Sequence, residues 1–485
     1  MSAEPTQGGG EKPRRPWRDN VEAVTMAIIV AVMLKYFLIE AYKIPTGSMQ
    51  PTLMGNPDTG IFDRVLVDKL SYHYRAPKRF EVAVFKYPLD RSMNYIKRIA
   101  GVGPEWLRIQ NGDLWRSDRP KNDPPRYESD WEIVRRPENV QADTWKALDE
   151  GAPGRLQWLR MGDASSWEVS EDRIVARGDG GLRLPASSSF MDDFKDGYPR
   201  AVRESLRIRR GVPSGMNPVG DLRFEAVLEA QADCREVVVE LREGSRIYSF
   251  TLPGPAAPEG EAPVILARDL SRSARSPLAR ERESKLSSPS WTLPAGSGVE
   301  LAVENLDDRL ALEIDGEELL SLEIPAATDQ TSNIQLQVRG GSATFDQVDV
   351  YRDIYYLSNQ VKTSEWYVEE DHYVMLGDNT QDSSDSREWT LARYHIPGVD
   401  GVVEGNYRGE EENPQRVPGG ESGTMFFFRD EWGTMHSCLD SERRNAAPTN
   451  ELRSLVPREM ITGRALIVFW PLKPSLKLWR LKWIR

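Results

Sequence analysis

Three short stretches of the sequence contain residues that could carry out chemistry together. The first is IPTGSMQPTL, residues 44–53, in which Ser48 lies between a glycine and a methionine. The second is YIKRIAG, residues 95–101, which places Lys97 among apolar neighbours, and the third is GDNTQDSSDSREW, residues 377–389. A serine hydroxyl is a poor nucleophile unless a nearby base removes its proton. The three stretches therefore offer the Ser48 hydroxyl as a candidate nucleophile, the Lys97 amine and a cluster of carboxylates.

Lysine is the candidate base because histidine is scarce. The chain has 4 histidines, and none of them lies in these stretches. Lysine accepts a proton only as a neutral amine, and an exposed lysine with a pKa near 10.4 is almost entirely charged at neutral pH. Burial lowers that pKa by several units. The apolar neighbours of Lys97 favour burial, but a strand lysine that points to solvent is equally compatible, and Ser48 alone reads as an ordinary turn serine.

Composition excludes several classes of protein. The 485 residues are enough for two or three domains, each with its own core. With 63 Lys+Arg against 75 Asp+Glu and a net charge of -12, a nucleic-acid binder is not expected. Cys234 and Cys438 form no CxxC motif, and no spacing of ligands predicts a metal or a cofactor. Whether these cysteines form a disulfide is left open.

The N-terminal region predicts a membrane anchor. Residues 23–34 carry no charge, and a helix over 21–39 would be about 28 Å long, close to the roughly 30 Å of a bilayer core. A buried helix and a cleaved signal peptide are the alternatives. Basic residues precede the span rather than follow it, which predicts that residues 1–20 are cytoplasmic and that the rest lies outside.

The remaining patterns predict a mainly β protein. Short alternating segments fill 61–110, and longer ones fill 221–352, where Asp315-Gly316 is a two-residue hairpin turn. The second block resembles the concanavalin-like or laminin-G-like sandwiches. A final buried strand is expected in VPREMITGRALIVFWP. The tail after it is basic and contains tryptophan, which is typical of a surface that rests against lipid headgroups, and a solvated helix is the alternative.

Taken together, the three stretches resemble the motifs of type I signal peptidases, the membrane-anchored Ser/Lys endopeptidases. PTGSMQPTL matches the family's nucleophile motif, YIKRIAG its base motif, and GDNTQDSSDSR its last long motif. The resemblance covers about 21–115, 361–389 and 454–472. It implies an extended, partly open β-barrel-like catalytic domain after one transmembrane helix, interrupted by the β-sandwich.

The resemblance also implies roles for individual residues. Ser48 is expected to be the nucleophile and Lys97 the general base. The oxyanion hole is expected from the Ser48 N–H and the hydroxyl of Thr46, where the family usually has serine. Ser383 matches the serine that holds the lysine by a hydrogen bond, and Thr380 stands where the family often has arginine. The other supporting residues are expected to be Asp385, Arg387, Asp378, Asn379, Arg98 and Met49, and the substrate is expected to pair with strands at Ile44, Pro45, Tyr95 and Ile96.

These expectations divide the chain into segments along its length. The predicted segments are a cytoplasmic tail (1–20), an anchor (21–42), the first catalytic part (43–117), an insertion (118–355) with a sandwich within about 200–352, the second catalytic part (356–390), a second insertion or loop (391–453) and a C-terminal strand with the tail (454–485). Because the motifs lie outside 118–355, that insertion is expected to be separable from catalysis.

The implied function is that of signal peptidase I. It is a serine endopeptidase that cleaves signal peptides from secreted precursors, after small residues, at the outer face of the cytoplasmic membrane. The expected partners are those precursors and the lipid bilayer. No cofactor and no nucleic acid are expected. The partner of the insertion is left open between a glycan and a protein. The alternative is a membrane-anchored, lectin-like binding protein whose peptidase core is inactive.

Overall fold

The computed structural model describes most of the chain, and the statements below refer to those residues. Its helices are α1 (Pro16–Met33), α2 (Ser71–Tyr74) and α3 (Glu138–Thr144), with short 3-10 turns at Glu128–Asp130, Thr380–Asp382 and Arg458–Met460. The described ranges are 16–33, 38–57, 60–148, 156–162, 166–170, 173–185, 189–193, 195–198, 215–270, 283–287, 289–327, 330–358, 363–408, 412–419, 423–447, 451–473 and 478–485.

Strands of the first part of the chain surround the serine and lysine motifs. They are β1 (Ile39–Lys43), β2 (Gly55–Asn56), β3 (Ile61–Phe62), β4 (Arg64–Asp68), β5 (Val82–Tyr87), β6 (Asp90–Val102), β7 (Glu105–Gln110), β8 (Asp113–Ser117) and β9 (Glu132–Ile133).

The middle of the chain is also built from strands. They are β10 (Lys146–Ala147), β11 (Leu159–Met161), β12 (Glu168–Val169), β13 (Arg173–Arg177), β14 (Gly180–Arg183), β15 (Leu222–Ala230), β16 (Glu236–Glu243), β17 (Arg246–Pro253), β18 (Val264–Asp269), β19 (Glu283–Ser287), β20 (Gly298–Leu306), β21 (Arg309–Ile314), β22 (Glu317–Glu323), β23 (Ser332–Arg339) and β24 (Ser342–Arg352).

The last part returns to the first sheet. Its strands are β25 (Glu365–Val368), β26 (His372–Leu376), β27 (Thr390–His395), β28 (Val403–Asn406), β29 (Gln415–Pro418), β30 (Thr424–Arg429), β31 (Met435–Leu439), β32 (Arg444–Asn445), β33 (Glu451–Leu452), β34 (Leu455–Pro457), β35 (Ile461–Trp470), β36 (Leu472–Lys473), β37 (Leu478–Trp479) and β38 (Lys482–Trp483).

One antiparallel sheet, which we call the catalytic sheet, carries the motifs. Its strand order is β1-β4-β35-β5-β6-β26-β34, with β38 added on β35. Distant segments thus become neighbours: β6 pairs with β5 on one side and, over Arg98 to Val102, with β26 on the other. Within the described residues the end strands β1 and β34 do not pair, so the sheet is not closed into a barrel. A smaller sheet, β25-β7-β8-β9, adjoins it in sequence.

The middle strands form a sandwich of two antiparallel sheets. Their orders are β12-β13-β24-β15-β20-β21-β22, with β10 on β24, and β11-β14-β23-β16-β17-β18-β19. Apolar side chains of both sheets, such as Phe224 and Phe250, pack into one buried core. In β15 each buried residue alternates with a less buried one, which is the period that a sheet with one covered face requires. The hairpin predicted at Asp315-Gly316 is confirmed, since both residues have positive φ and Ile314 pairs with Glu317.

The predicted anchor over 21–42 is wrong in its bounds. Helix α1 ends at Met33, and Ile39–Lys43 is strand β1, which pairs with β4 because its backbone completes the edge of the catalytic sheet. Residues 1–15, most of the predicted cytoplasmic tail, lie outside the described residues. In the part of the chain that the structure describes, no helix combines the length and the apolar character that a membrane crossing requires.

The structure also differs from the sequence-based segments in four other places. The sheet containing β7 and β8 continues to β9 at Glu132–Ile133, and sandwich strands begin at Lys146 rather than near residue 200. The stretch 391–453, predicted as an insertion or loop, contains the small sheets of β27–β33, in which Phe426 and Phe428 are buried. The tail contains β37 and β38 rather than a helix. Several of these strands have only two residues, which is too short for alternation of apolar and polar residues to predict them.

The sandwich core provides a test of stability. Leu312 is buried in it, and Leu312→Ala should lower the free energy of unfolding by about 2–5 kcal/mol, because it leaves a cavity. Leu270 is 61% exposed, so Leu270→Ala is the matched control and should change stability little. Urea unfolding of both variants checks this, and equal midpoints would show that the core is not packed as described.

Candidate active site

Ser48 lies in a turn that is anchored in the core beneath the catalytic sheet. The adjacent Met49 is fully buried and packs with Val65, Val84 and other apolar residues of that sheet. The Leu53 N–H donates to the Met49 carbonyl at 2.8 Å, which continues the turn. Ser48 itself is 8% exposed. The turn therefore presents the hydroxyl from a fixed backbone.

Lys97 reaches this hydroxyl from strand β6. Its Nζ lies 2.6 Å from Ser48 Oγ, and the side chain is 4% exposed. Burial lowers the pKa of Lys97 to about 8, a shift that the nearby Asp385 opposes and Arg387 supports. The structure thus excludes the alternative of a lysine that points to solvent. With that pKa roughly one Lys97 in ten is a neutral amine at pH 7, far more than for an exposed lysine with a pKa near 10.4, and the neutral amine is the form that a base requires.

Asn379 and Gly377 hold the serine turn against the loop after β26. The Asn379 N–H donates to the Ser48 carbonyl at 3.1 Å, and its Nδ2 donates to the Gly47 carbonyl at 3.2 Å. A Cβ atom on Gly377 would lie 2.2 Å from Ser383 Oγ and 2.4 Å from the Ser48 carbonyl oxygen. Only glycine permits so close an approach.

Two fully buried ion pairs flank Lys97. Arg387 donates to Asp385 from Nε at 2.7 Å and from Nη2 at 2.8 Å. Arg98 donates to Asp378 from Nε at 2.8 Å and from Nη2 at 2.7 Å, and the Thr52 hydroxyl donates to the same carboxylate. Each arginine is placed so that its fork matches one carboxylate, and breaking such a buried pair typically costs about 3–5 kcal/mol.

The position of Ser383 corrects one expected contact. Its hydroxyl donates to Asp385 Oδ2 at 2.8 Å, and no hydrogen bond between Ser383 and Lys97 occurs among the described residues. The carboxylate attracts this hydroxyl because it is an ionised acceptor, whereas Lys97 already contacts Ser48. Thr380, where the family often has arginine, donates from its hydroxyl to the Tyr355 carbonyl at 2.8 Å.

The residues predicted for the oxyanion hole and for substrate binding lie around the same turn. Thr46 and Pro45 are exposed, and Ile44 is buried. Within the described part of the chain neither the Thr46 hydroxyl nor the Ser48 N–H is engaged in a hydrogen bond. Tyr95 stacks on Tyr87 with ring centroids 4.5 Å apart.

The edge of β6 that precedes Lys97 is open. Residues 94–97, which include Ile96, pair with β5 on one side only, because the pairing with β26 begins at Arg98. Main-chain donors and acceptors on such an edge remain available to another strand.

Lys146 is a site residue that the sequence did not reveal. It begins the sandwich in β10, is 4% exposed, and its Nζ donates to the Asp378 main-chain carbonyl at 2.9 Å. Burial lowers its pKa to about 7, and Arg352 contributes to that shift. Its neighbours Trp145 and Ala147 give no signal of this role, because the contact joins segments more than 200 residues apart.

Other contacts join the inserted region to the motifs. Gln381 donates from Nε2 to the Asp192 carbonyl, and a Cβ atom on Gly197 would lie 2.7 Å from Pro51 Cγ. These contacts, together with those of Lys146 and Tyr355, show that 118–355 packs directly on the site. That the insertion is separable from catalysis stays a prediction, since these contacts show packing and not a catalytic role.

Cys234 and Cys438 are both free thiols. They lie in different sheets, Cys234 beside the sandwich and Cys438 on β31. No disulfide therefore links the two.

Comparison with known proteins identifies the family. The model of the signal peptidase family, peptidase S26, matches residues 17–179 and 309–404, which is more than half of the chain. The chain therefore belongs to the signal peptidase S26 family, and it is a peptidase by that membership. The matched residues include Ser48, Lys97 and the loop after β26.

Curated relatives agree with that assignment. Signal peptidase I of Leptolyngbya laminosa is 29% identical over 161 residues, which cover 30% of this chain and 73% of the relative. Signal peptidase I of Pseudomonas fluorescens is 39% identical over 93 residues, 17% of this chain and 31% of the relative. A probable signal peptidase I of Synechocystis is 30% identical over 127 residues, and there the chain spans 62% of the relative.

Among solved structures, a carbohydrate binding module from Bacillus subtilis is similar to the chain. It is 10% identical, covers 40% of this chain and 94% of its own, and gives a TM-score of 0.25. No conclusion on fold or function is drawn from a likeness of that size.

The buried amine of Lys146 predicts a pH dependence of stability. Above pH 7 the folded chain holds Lys146 neutral, whereas the unfolded chain keeps it protonated up to about pH 10. The unfolded state then binds more protons, so stability rises with pH in this window and falls as pH drops towards 7. Lys146→Met should reduce the slope of unfolding free energy against pH by up to about 1.4 kcal/mol per unit.

Urea unfolding between pH 7 and pH 10 measures that slope. Lys78 is exposed, so Lys78→Met is the control and should leave the slope unchanged. If Lys146→Met and the wild type gave parallel curves, Lys146 would not be a buried neutral amine.

Proposed function

We propose that this protein is a signal peptidase I, a serine endopeptidase that removes N-terminal signal peptides from secreted precursors through a Ser/Lys dyad. The observation that carries the proposal is the contact of 2.6 Å between Ser48 Oγ and Lys97 Nζ, both buried. Family membership supports the same reaction. The alternative of a lectin-like binding protein with an inactive core is not favoured, because the nucleophile and its base are in contact.

The proposed reaction is acyl transfer in two steps. Neutral Lys97 accepts the Ser48 proton while Oγ bonds to the scissile carbonyl carbon, and the resulting ammonium protonates the leaving amine as the C–N bond breaks. Water then gives a proton to Lys97 and attacks the acyl ester, and Ser48 recovers its proton as the ester bond breaks. The Ser48 N–H and the Thr46 hydroxyl are proposed to bind the oxyanion, where one donor is typically worth about 3–4 kcal/mol.

The substrate is proposed to bind as an added strand. The open edge of β6 at residues 94–97 ends at Lys97, which contacts Ser48, and the exposed Pro45 precedes Ser48 by three residues in the chain. An extended precursor between them would pair through main-chain hydrogen bonds, and small side chains before the cut would fit beside the packed Ile44 and Ile96.

The proposed location is the outer face of the cytoplasmic membrane. The described apolar side chains of α1, among them Val21 and Ile28, are exposed rather than packed on the protein, as expected of a segment that contacts lipid. The basic residues before this helix favour a cytoplasmic N-terminus. The bilayer and signal-peptide-bearing precursors are thus the proposed partners.

The sandwich is proposed to be of the concanavalin or laminin-G type. Its two antiparallel sheets with a shared apolar core support that assignment. A glycan or a protein as the ligand of the sandwich remains a prediction.

Substitution of the dyad tests the mechanism. Ser48→Ala removes the nucleophile and Lys97→Ala the base, and each should lower kcat by a factor of about 10² or more in cleavage of a purified preprotein in detergent micelles. Ser437 and Lys78 are exposed and lie outside the three motifs, so Ser437→Ala and Lys78→Ala serve as controls with wild-type rates. Undiminished cleavage by either dyad variant would exclude the mechanism.

The pH profile tests the identity of the base. Because the pKa of Lys97 is lowered to about 8, kcat/KM should rise from pH 6 and level off above about pH 8, as the ammonium loses its proton. Lys146→Met should keep the shape of this profile, whatever its effect on the maximum. A profile that is flat, or that falls between pH 7 and pH 9, would contradict Lys97 as the base.

A further inference from the structure

Three aspartates meet where the β7–β8 hairpin contacts the sandwich. Carboxylate oxygens of Asp113, Asp221 and Asp307 all lie within 4.8 Å of one another. Asp221 and Asp307 are buried, at 8% and 4% exposed, whereas Asp113 is half-buried. The proposed peptidase reaction uses none of them.

Each aspartate is held by the backbone of a different segment. Asp113 follows the tight turn of Asn111 and Gly112, and the Gly112 carbonyl accepts a hydrogen bond from the Tyr356 N–H at 2.9 Å. Asp221 precedes β15, and its carbonyl accepts from the N–H of Asp353 at 3.1 Å. The fold thus brings the catalytic part and the sandwich to one point.

Asp307 lies in the turn between β20 and β21. Asp307 and Asp308 have φ of 48° and 60°, a left-handed conformation that aspartate tolerates better than most residues. That conformation places the Asp307 carboxylate in the cluster, whereas an extended backbone would not form the two-residue turn.

One oxygen of the cluster has no protein partner. Asp307 Oδ2 is buried and accepts no hydrogen bond from any residue that the structure describes, and the same holds for the side-chain oxygen of Asn305, two residues earlier. Neither nearby guanidinium donates to this carboxylate among the described residues: Arg136 donates from Nη1 to Asp353 at 2.7 Å and leaves its Nε without a partner, and Arg135 donates from Nη2 to the Asp307 main-chain carbonyl at 2.8 Å. A buried carboxylate oxygen without a donor points to a ligand that supplies positive charge.

We propose that Asp113, Asp221 and Asp307 bind one Ca²⁺ ion that joins the catalytic part of the chain to the sandwich. The donors are all oxygens, which hard cations prefer, and Ca²⁺ binds oxygen at about 2.3–2.6 Å, so opposite ligands lie about 4.6–5.2 Å apart. Mg²⁺ retains several waters and is seldom enclosed by protein ligands alone, which favours Ca²⁺ at a site with two buried carboxylates.

The electrostatics of the cluster agree with a bound cation. Three carboxylates whose oxygens lie within 4.8 Å of one another repel each other when they are ionised. A divalent cation would remove the repulsion between these groups. It would also fix the sandwich, and with it Lys146, relative to the loop that holds Ser48.

Calcium binding and thermal unfolding of the full chain in detergent test the site. After removal of metals by a chelator, CaCl₂ should bind with a stoichiometry of one per chain and raise Tm in a saturable manner. Asp307→Asn should lose both effects. Asp315 is a matched control, because it also lies in a hairpin turn of the sandwich with positive φ, but outside the cluster. Asp315→Asn should bind calcium as the wild type does.

The outcomes separate the site from other causes. Asp307→Asn removes one negative charge from three carboxylates that repel one another. Without metal this variant should therefore be at least as stable as the wild type. If that variant does not fold, Asp113→Asn replaces a half-buried ligand and should show the same loss of calcium binding. Absence of bound calcium in the wild type, or an unchanged response in the variants that fold, would overturn the site. An equal Tm rise with MgCl₂ at the same concentration would overturn the assignment to calcium.

Discussion

The contact between Ser48 and Lys97 depends on keeping water away from one amine. Strand β6 places Lys97 among the packed strands of the catalytic sheet, and Asn379 holds the serine turn against it through two main-chain carbonyls. The free energy that desolvation costs the ammonium is what lowers the pKa of Lys97. If the turn moved away or water entered, the pKa of Lys97 would rise towards the ordinary value near 10.4, and the neutral amine that can accept the Ser48 proton would become rare at neutral pH.

The charges near Lys97 are arranged so that they do not cancel this effect. Asp385 alone would raise the pKa of Lys97, but Arg387 pairs with it and opposes that influence. Asp378 is likewise paired with Arg98, and both side chains are fully buried. The two ion pairs thus supply rigid hydrogen bonds around the amine, while desolvation outweighs the carboxylates that would raise its pKa.

The inserted region is part of the structural support of the site. Lys146 and the carbonyls of Tyr355 and Asp192 contact the loop that carries Asp378 and Gln381. A sandwich with its own core therefore also fixes the shape of a loop on another sheet. Its two sheets enclose an apolar core of their own, and the sandwich contacts the loop after β26 through residues outside that core.

The sequence by itself determined which residues are the candidates for chemistry, the mainly β character and the Asp315-Gly316 turn, because motif letters and period-2 alternation are local properties. It did not place Ser383 on Asp385 rather than on Lys97, nor did it reveal Lys146 or the meeting of Asp113, Asp221 and Asp307. Those contacts join segments many residues apart, and their partners are chosen by strand order and burial. Only the tertiary structure decided them, since the same side chains in another register would face solvent.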